Sequence, residues 1–215
     1  MIDLENALKF PTTDKEWKRK ILIGGVLNIA PIIINFFPIG YAYRIFQKAL
    51  KRQKIALVEW DNWADLFIQG LIVFLIGLLY NIASLILFAI HPILGILAFI
   101  AAALLFPMAL AQYAMSGNFS QAFQLRDIWG RIRKAGSDYF VAWLVMAGIF
   151  LILWMIIAAI PILGWVISAI LGFYTCLVFA VLFGEICSRQ QPPPEDSRKG
   201  STKRSRSTPR RRSES

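Results

Sequence analysis

Charged residues are missing from three long stretches of this 215-residue sequence. No Asp, Glu, Lys or Arg occurs in residues 21–43, 66–125 or 139–184, which are 23, 60 and 46 residues long. A helix needs about 20 apolar residues to cross a bilayer, so the second and third stretches are each long enough for two spans. This pattern excludes a soluble domain and predicts a polytopic membrane protein.

Histidine and cysteine are also scarce. The single histidine, His91, precedes a proline in a predicted turn, and one imidazole without a nearby carboxylate makes neither a metal site nor a general base. We expect it to be an exposed loop residue. The two cysteines suggest neither a metal set nor a disulfide framework. The sequence also contains no glycine-rich phosphate loop, nucleophile elbow or zinc motif, so we expect no enzyme, no metal and no cofactor.

Proline and glycine divide the two longest apolar stretches. The letters "HPILG" separate residues 66–90 from 92–114, and "PILG" separates 139–160 from 165–186. Such punctuation predicts two antiparallel spans joined by a tight turn in each case. Between the two pairs, residues 125–134 carry apolar side chains on one helical face and charged ones on the other, which predicts a helix lying at the membrane surface.

Basic residues flank every apolar stretch. Five Lys or Arg precede residue 21, five lie in residues 44–54, four in 116–138 and nine from residue 189 onward. Basic loops favour the cytoplasmic side, so all four segments are predicted there, and the first apolar stretch must then turn back on itself. The letters "PIG" at Pro38–Gly40 resemble the two later turns. We predict a short hairpin that turns at Asn35–Pro38, with one kinked span as the alternative.

Together these patterns predict an all-α protein, a polytopic transmembrane helical bundle of three helical hairpins. The first hairpin is short or re-entrant, and interfacial amphipathic helices accompany the bundle. Residues 1–188 form the integral membrane domain. Residues 189–215 are too polar and basic to bury apolar surface, so we expect a disordered basic cytoplasmic tail. The protein is predicted to be a multi-pass protein of the cell (inner or cytoplasmic) membrane with both termini cytoplasmic.

Polar side chains within the apolar stretches are costly and mark candidate sites. One interpretation is a small polar cavity where the first turn meets the second hairpin. The other is hydrogen bonding between helices, worth about 0.6 kcal/mol each in membranes. The candidate polar membrane cluster comprises Asn28, Asn35, Asn81 and Ser84.

Other side chains suit the membrane surface. An acidic trio, Glu59, Asp61 and Asp65, fits no calcium loop, and helix capping is the favoured explanation. Tryptophan rings favour the headgroup level, and the predicted interfacial anchors are Trp17, Trp60, Trp63 and Trp129. Clustered basic residues attract anionic lipid headgroups, and the predicted contacts in the tail are Lys203, Arg204, Arg206, Arg210, Arg211 and Arg212.

Several segments carry a family resemblance: "ALKFP", "WKRK", "ILIGG", the "P…N…P.GY" centre of the first stretch, and "EWDNWADLF" at residues 59–67. With these, the chain resembles the domain-of-unknown-function family four thousand and thirteen (DUF4013), small multi-pass membrane proteins of prokaryotes. The resemblance covers residues 1–187 and is most specific in the first 80. It implies a polytopic membrane fold with no established activity, and it supplies no catalytic residue.

Two function classes follow. The favoured one is a non-enzymatic membrane-organising component that binds lipid or a protein partner. Its expected partners are the bilayer, anionic headgroups at the tail, and a second protein or a second copy of the chain. Nucleic acid is not expected, because the tail has no interleaved aromatic residues for base stacking. The alternative is a small permease-like carrier with a polar site at the first hairpin turn.

Overall fold

The computed structural model of the protein describes residues 4–29 and 33–190. Within these ranges the chain forms α-helices, two short 3₁₀ helices at Phe10–Thr12 and Phe119–Phe123, and no strands. The α-helices are α1 (Leu4–Lys9), α2 (Trp17–Ile29), α3 (Phe36–Leu50), α4 (Trp63–Ile90), α5 (Pro92–Ser116), α6 (Leu125–Ala135), α7 (Ser137–Ala159) and α8 (Pro161–Ser188). The all-α prediction is confirmed. Most of the predicted tail, residues 191–215, lies outside the described residues.

Four helices, α4, α5, α7 and α8, are long and apolar enough to cross a membrane by length and composition. They form the two predicted hairpins. The first reverses between Ile90 and Pro92, and the second between Ala159 and Pro161. In each hairpin a proline occupies the first position of the second helix, where its missing N–H removes no hydrogen bond.

The first apolar stretch also reverses direction, as contacts with α8 show. The amide of Asn28, near the end of α2, donates to the Ala169 carbonyl oxygen at 2.9 Å. Gly24, one turn earlier in α2, lies against the ring of Phe173, one turn later in α8. Helix α2 therefore runs antiparallel to α8.

Helix α3 runs the other way. The ring of Tyr41 lies 5.7 Å from that of Phe173, and Ala49, two turns later, lies against Gly184 near the end of α8. Helix α3 is thus parallel to α8 and antiparallel to α2. At 1.5 Å per residue the two helices are only about 20 and 22 Å long, shorter than the roughly 30 Å hydrocarbon layer, so the first hairpin is short, as predicted.

The predicted position of the first turn is wrong. Helix α3 begins at Phe36, so Pro38 and Gly40 are helical and the reversal lies before them, between Ile29 and Phe36. Proline is tolerated in the first turn of a helix because that N–H has no intrahelical acceptor. In all three hairpins, then, the proline opens the second helix and does not form the turn.

Helices α3 and α4 approach each other closely at two glycines. A Cβ atom on Gly40 would lie 1.9 Å from the carbonyl oxygen of Leu66, and one on Gly70 would lie 1.8 Å from that of Phe36. Only glycine fits at either position. The later residue of α3, Gly40, meets the earlier residue of α4, Leu66, while Phe36 meets Gly70. Helices α3 and α4 are therefore antiparallel.

The loops that carry basic residues meet at one end of the molecule. Arg52, just after α3, donates to the Ser188 carbonyl oxygen at the end of α8 at 2.7 Å. Arg189 lies 3.2 Å from the Asp138 carboxylate at the start of α7. The ends of α3 and α8 and the α6–α7 junction are therefore neighbours, while the His91 turn lies at the far end of its hairpin.

Candidate functional site

The segment between α3 and α4, residues 51–62, is held against the first hairpin by aromatic side chains. The Tyr41 hydroxyl donates to the Val58 carbonyl oxygen at 2.6 Å, and the Trp60 ring stacks on that of Tyr41 at 4.3 Å. The Trp60 indole N–H donates to the Lys20 carbonyl oxygen at 3.1 Å. These contacts bring the acidic residues of the segment next to two basic side chains from α2 and α3.

Lys20 is the first of these basic side chains and is only 6% exposed. Its Nζ lies 3.0 Å from Asp14 and 2.6 Å from Glu59. Burial disfavours the ammonium, but the hydrogen bonds and charge interactions that it makes with the Glu59 and Asp14 carboxylates outweigh burial and raise the pKa of Lys20. The pKa of Asp14 is lowered, because its carboxylate accepts the Glu16 backbone N–H and the Lys20 ammonium despite partial burial.

Arg44 is the second basic side chain and is 15% exposed. One of its terminal nitrogens lies 2.9 Å from the Asp61 carboxylate, and the other lies 2.8 Å from Asp65. The planar guanidinium offers donors in a fixed fork, so one arginine can hold two carboxylates. Asp65 also accepts from the Gln69 amide at 2.7 Å.

The acidic trio therefore forms ion pairs, and the capping explanation is wrong. Glu59 binds Lys20, whereas Asp61 and Asp65 bind Arg44. The residue that precedes α4 is Asn62, whose side chain makes no capping hydrogen bond. Across the described ranges no group of three potential metal-ligating side chains is found. Every carboxylate of the trio is paired with either Lys20 or Arg44. We therefore interpret this cluster as a set of structural ion pairs.

The four residues of the candidate polar membrane cluster lie at different helix contacts. Asn28 bonds to α8, as described above, and Asn35 immediately precedes α3. Asn81 and Ser84 lie together on α4, facing α5. Asn81 and Ser84 are therefore neighbours, whereas Asn28 and Asn35 lie at other helix contacts.

Asn81 and Ser84 line a cavity of about 370 Å³ between α4 and α5. Its remaining walls are the apolar side chains of Leu85, Phe88, Ile96 and Phe99, with the bare backbone of Gly95 at the α5 side. The Asn81 amide nitrogen donates to the Gly77 carbonyl oxygen at 2.8 Å. The Asn81 Oδ1 and the Ser84 Oγ are buried and have no hydrogen-bond partner in the described part of the chain.

The predicted tryptophan anchors have different surroundings. Trp60 is stacked between Tyr41 and Trp63 within the packed segment, while Trp63 and Trp129 are more than two-fifths exposed. Trp17 begins α2 and is partly buried. The predicted lipid contacts of the tail lie outside the described residues: Lys203, Arg204, Arg206, Arg210, Arg211 and Arg212.

Helix α6 is amphipathic, as predicted. Its Ile128 and Ile132 are fully buried against the bundle, whereas Leu125 and Trp129 are exposed. The Arg133 guanidinium lies over the Trp129 ring, 5.4 Å from its centre. An exposed tryptophan with a cation above it places an apolar surface beside positive charge.

His91 is exposed and lies in the turn between α4 and α5, as predicted. It is also the N-cap of α5, and its Nδ1 accepts the Ile93 backbone N–H at 3.3 Å. The signal in the sequence was the following proline, because Pro at the first helical position often follows a capping side chain. The ion-pairing role of Lys20 had a weaker signal: it is the last charge before residue 21, where an unpaired ammonium would be costly.

The family model described as "Protein of unknown function (DUF4013)" matches residues 23–94 and 81–162. No curated protein and no solved structure matches the chain. The matched segments run from within α2 to the first two residues of α8, and the opening "ALKFP" of the sequence resemblance lies outside them. The two segments together cover more than half of the chain, so it belongs to the DUF4013 family, whose function is unknown.

Proposed function

We propose that this protein is a non-enzymatic, multi-pass component of the cell membrane that binds anionic lipid at its cytoplasmic face through α6 and the basic tail. The observation that carries the proposal is the exposed surface of α6. There Leu125 and Trp129 lie beside the exposed basic residues Arg126, Arg133 and Lys134. A helix of this kind lies at the headgroup level, with its apolar side chains inserted and its cations near lipid phosphates.

The meeting of the basic loops at one end supports the orientation. Because the ends of α3 and α8 and the α6–α7 junction adjoin, one membrane face would receive most of the basic residues. That face is the cytoplasmic one by the distribution of Lys and Arg. The carrier alternative has less support, since Asn28 is already bonded to α8 and lies at a different contact from Asn81.

Orientation is tested with single cysteines in a background that lacks Cys176 and Cys187. We expect Lys51→Cys and Lys134→Cys to react with an impermeant thiol reagent from the cytoplasmic side, and Ile93→Cys from the opposite side. All three positions are exposed. Labelling of Lys51→Cys and Lys134→Cys from opposite sides would contradict the proposed topology.

Lipid binding is tested by counting the phosphatidylglycerol molecules that the purified protein retains in native mass spectrometry. Each basic residue near an anionic surface contributes about 1 kcal/mol, so Arg126→Gln with Arg133→Gln should weaken retention by roughly 30-fold at low salt. The matched control, Lys51→Gln with Lys54→Gln, removes two exposed charges that are not on α6 and should have a smaller effect. Equal losses in both variants would mean that α6 is not the lipid-binding surface.

A further inference from the structure

We infer that the cavity between α4 and α5 binds the hydroxyl end of a long-chain alcohol or of a lipid with a free hydroxyl, such as a diacylglycerol. This site is separate from α6, and the inference does not rest on lipid binding there. It goes beyond the proposed function because it assigns an internal site with its own ligand chemistry.

Two buried polar atoms of the cavity, the Asn81 Oδ1 and the Ser84 Oγ, have no hydrogen-bond partner in the described part of the chain. Ser84 is only 5% exposed, and a serine within a helix ordinarily donates to the carbonyl four residues earlier. Here its Oγ makes no such bond. A buried polar atom without a partner destabilises the fold, and no bulk water is present in a bilayer to provide a partner. A ligand that bonds to Ser84 would remove this destabilisation.

The two atoms differ in the type of hydrogen bond that each can make. The amide nitrogen of Asn81 donates to the Gly77 carbonyl, which fixes the orientation of the amide and leaves Oδ1 as an acceptor. The Ser84 hydroxyl is both a donor and an acceptor. Residues three apart on a helix are neighbours, so one ligand hydroxyl can donate to Asn81 and accept from Ser84.

The remaining walls of the cavity are apolar and open toward the lipid. Leu85, Phe88, Ile96 and Phe99 line the cavity, and each has more than half of its surface exposed toward the space that lipid would fill. A ligand can therefore enter sideways from the hydrocarbon layer, with its chain along these side chains. A carboxylate would bring an anion against the Asn81 acceptor and would have to be desolvated. An alkane would leave both polar atoms without partners.

The experiment uses the full chain in nanodiscs and a twelve-carbon alcohol that carries a photoreactive diazirine. Labelled peptides are identified by mass spectrometry, and dodecanol, dodecane and dodecanoate compete at equal concentrations in the bilayer. We expect saturable labelling within residues 81–99. Dodecanol should compete at a concentration about fivefold lower than dodecane or dodecanoate, the equivalent of one hydrogen bond of about 1 kcal/mol. This comparison needs no variant. Equal competition by dodecane, or labelling that does not saturate, would overturn the inference.

Variants locate the interaction. Asn81→Leu with Ser84→Ala removes both hydrogen-bonding side chains of the cavity and should abolish the preference for dodecanol over dodecane. The matched control is Ser168→Ala, an equally buried serine of α8 whose hydroxyl already donates to the Leu153 carbonyl oxygen at 3.3 Å, and it should keep the preference. A preference that survives this double variant would place the alcohol elsewhere and refute the site. Arg126→Gln with Arg133→Gln should leave alcohol labelling unchanged. The alcohol site and lipid binding at α6 can therefore fail independently, and the two sets of variants show which of them has failed.

Discussion

Replacing Gly40 by alanine should separate α3 from α4. The new Cβ would lie 1.9 Å from the Leu66 carbonyl oxygen, whereas ordinary contacts of this kind begin at 3.4 Å. The two helices must therefore part by about 1.5 Å at this point. The obstructing atom belongs to the backbone and cannot rotate away, so we expect a loss of about 1–3 kcal/mol in the free energy of unfolding, as is typical of overpacked sites.

Gly70→Ala should have a similar effect, because its Cβ would meet the Phe36 carbonyl oxygen across the same interface. The double variant makes the prediction sharper. Once one alanine has parted the helices, the second meets less obstruction, so the double variant should lose clearly less than the sum of the two single variants. Additive losses would mean that the two glycines do not share one contact.

Equilibrium unfolding by SDS in mixed micelles measures these free energies. Tryptophan fluorescence is a suitable signal, since the Trp60 and Trp63 rings stack 5.7 Å apart beside the α3–α4 interface. Gly148→Ala in α7 is the matched control, because nothing lies within 4 Å of the added Cβ. It should be neutral or should stabilise by up to about 1 kcal/mol through helix propensity. If Gly40→Ala behaves like Gly148→Ala, the close packing of α3 on α4 is refuted.

Two further predictions concern the ion pairs and α6. The lowered pKa of Asp14 stabilises the fold above its ordinary value of 3.8, and this contribution is lost as the pH falls through the lowered folded value. The raised pKa of Lys20 stabilises the fold below 10.5, and this contribution is lost as the pH rises through the folded value. Trp60 fluorescence should therefore stay constant from about pH 5 to 10 and change outside that range, and Lys20→Met should abolish the alkaline step. In detergent, Ile128→Ala should lower the free energy of unfolding by about 2–5 kcal/mol, because this side chain is fully buried. Leu125→Ala, at an exposed position of the same helix, should change it by no more than about 0.5 kcal/mol. Thermal unfolding of both variants measures the difference, and equal effects would mean that α6 does not pack through Ile128.

The long hairpins could be predicted because their signals are local. The two apolar runs are each long enough for two spans, and each is divided by a proline followed three residues later by a glycine, which leaves few alternatives for α4, α5, α7 and α8. The reversal of the first stretch was predicted from the distribution of basic residues. The letters "PIG" misplace this reversal, because proline is equally suited to a turn and to the first turn of a helix, and Pro38 lies in the first turn of α3.

The ion pairs could not be predicted because they join distant parts of the chain. Glu59 is 39 residues from Lys20, and their pairing depends on how the segment after α3 folds back over α2. Rules for basic flanks and for helix capping depend on only a few neighbouring residues. They therefore predict a cytoplasmic position for Lys20 and a capping role for the acidic trio, but not the pairing between them. For the same reason the polar residues of the membrane stretches were grouped by type, although Asn28 and Asn81 face different helices.

The position of α8 has a consequence for the order of assembly. Helix α2 is synthesised early, yet the Ala169 carbonyl that Asn28 bonds is 141 residues away in sequence. At about 5–20 residues per second, ribosomes need roughly 7–28 s to make that intervening chain. During this interval Gly24 and the Asn28 amide of α2 lack their partners in α8, and the hairpin that carries them is too short to span the bilayer. A chain stopped before α8 should therefore remain an open intermediate, which makes the last span the step that commits the first hairpin to its place.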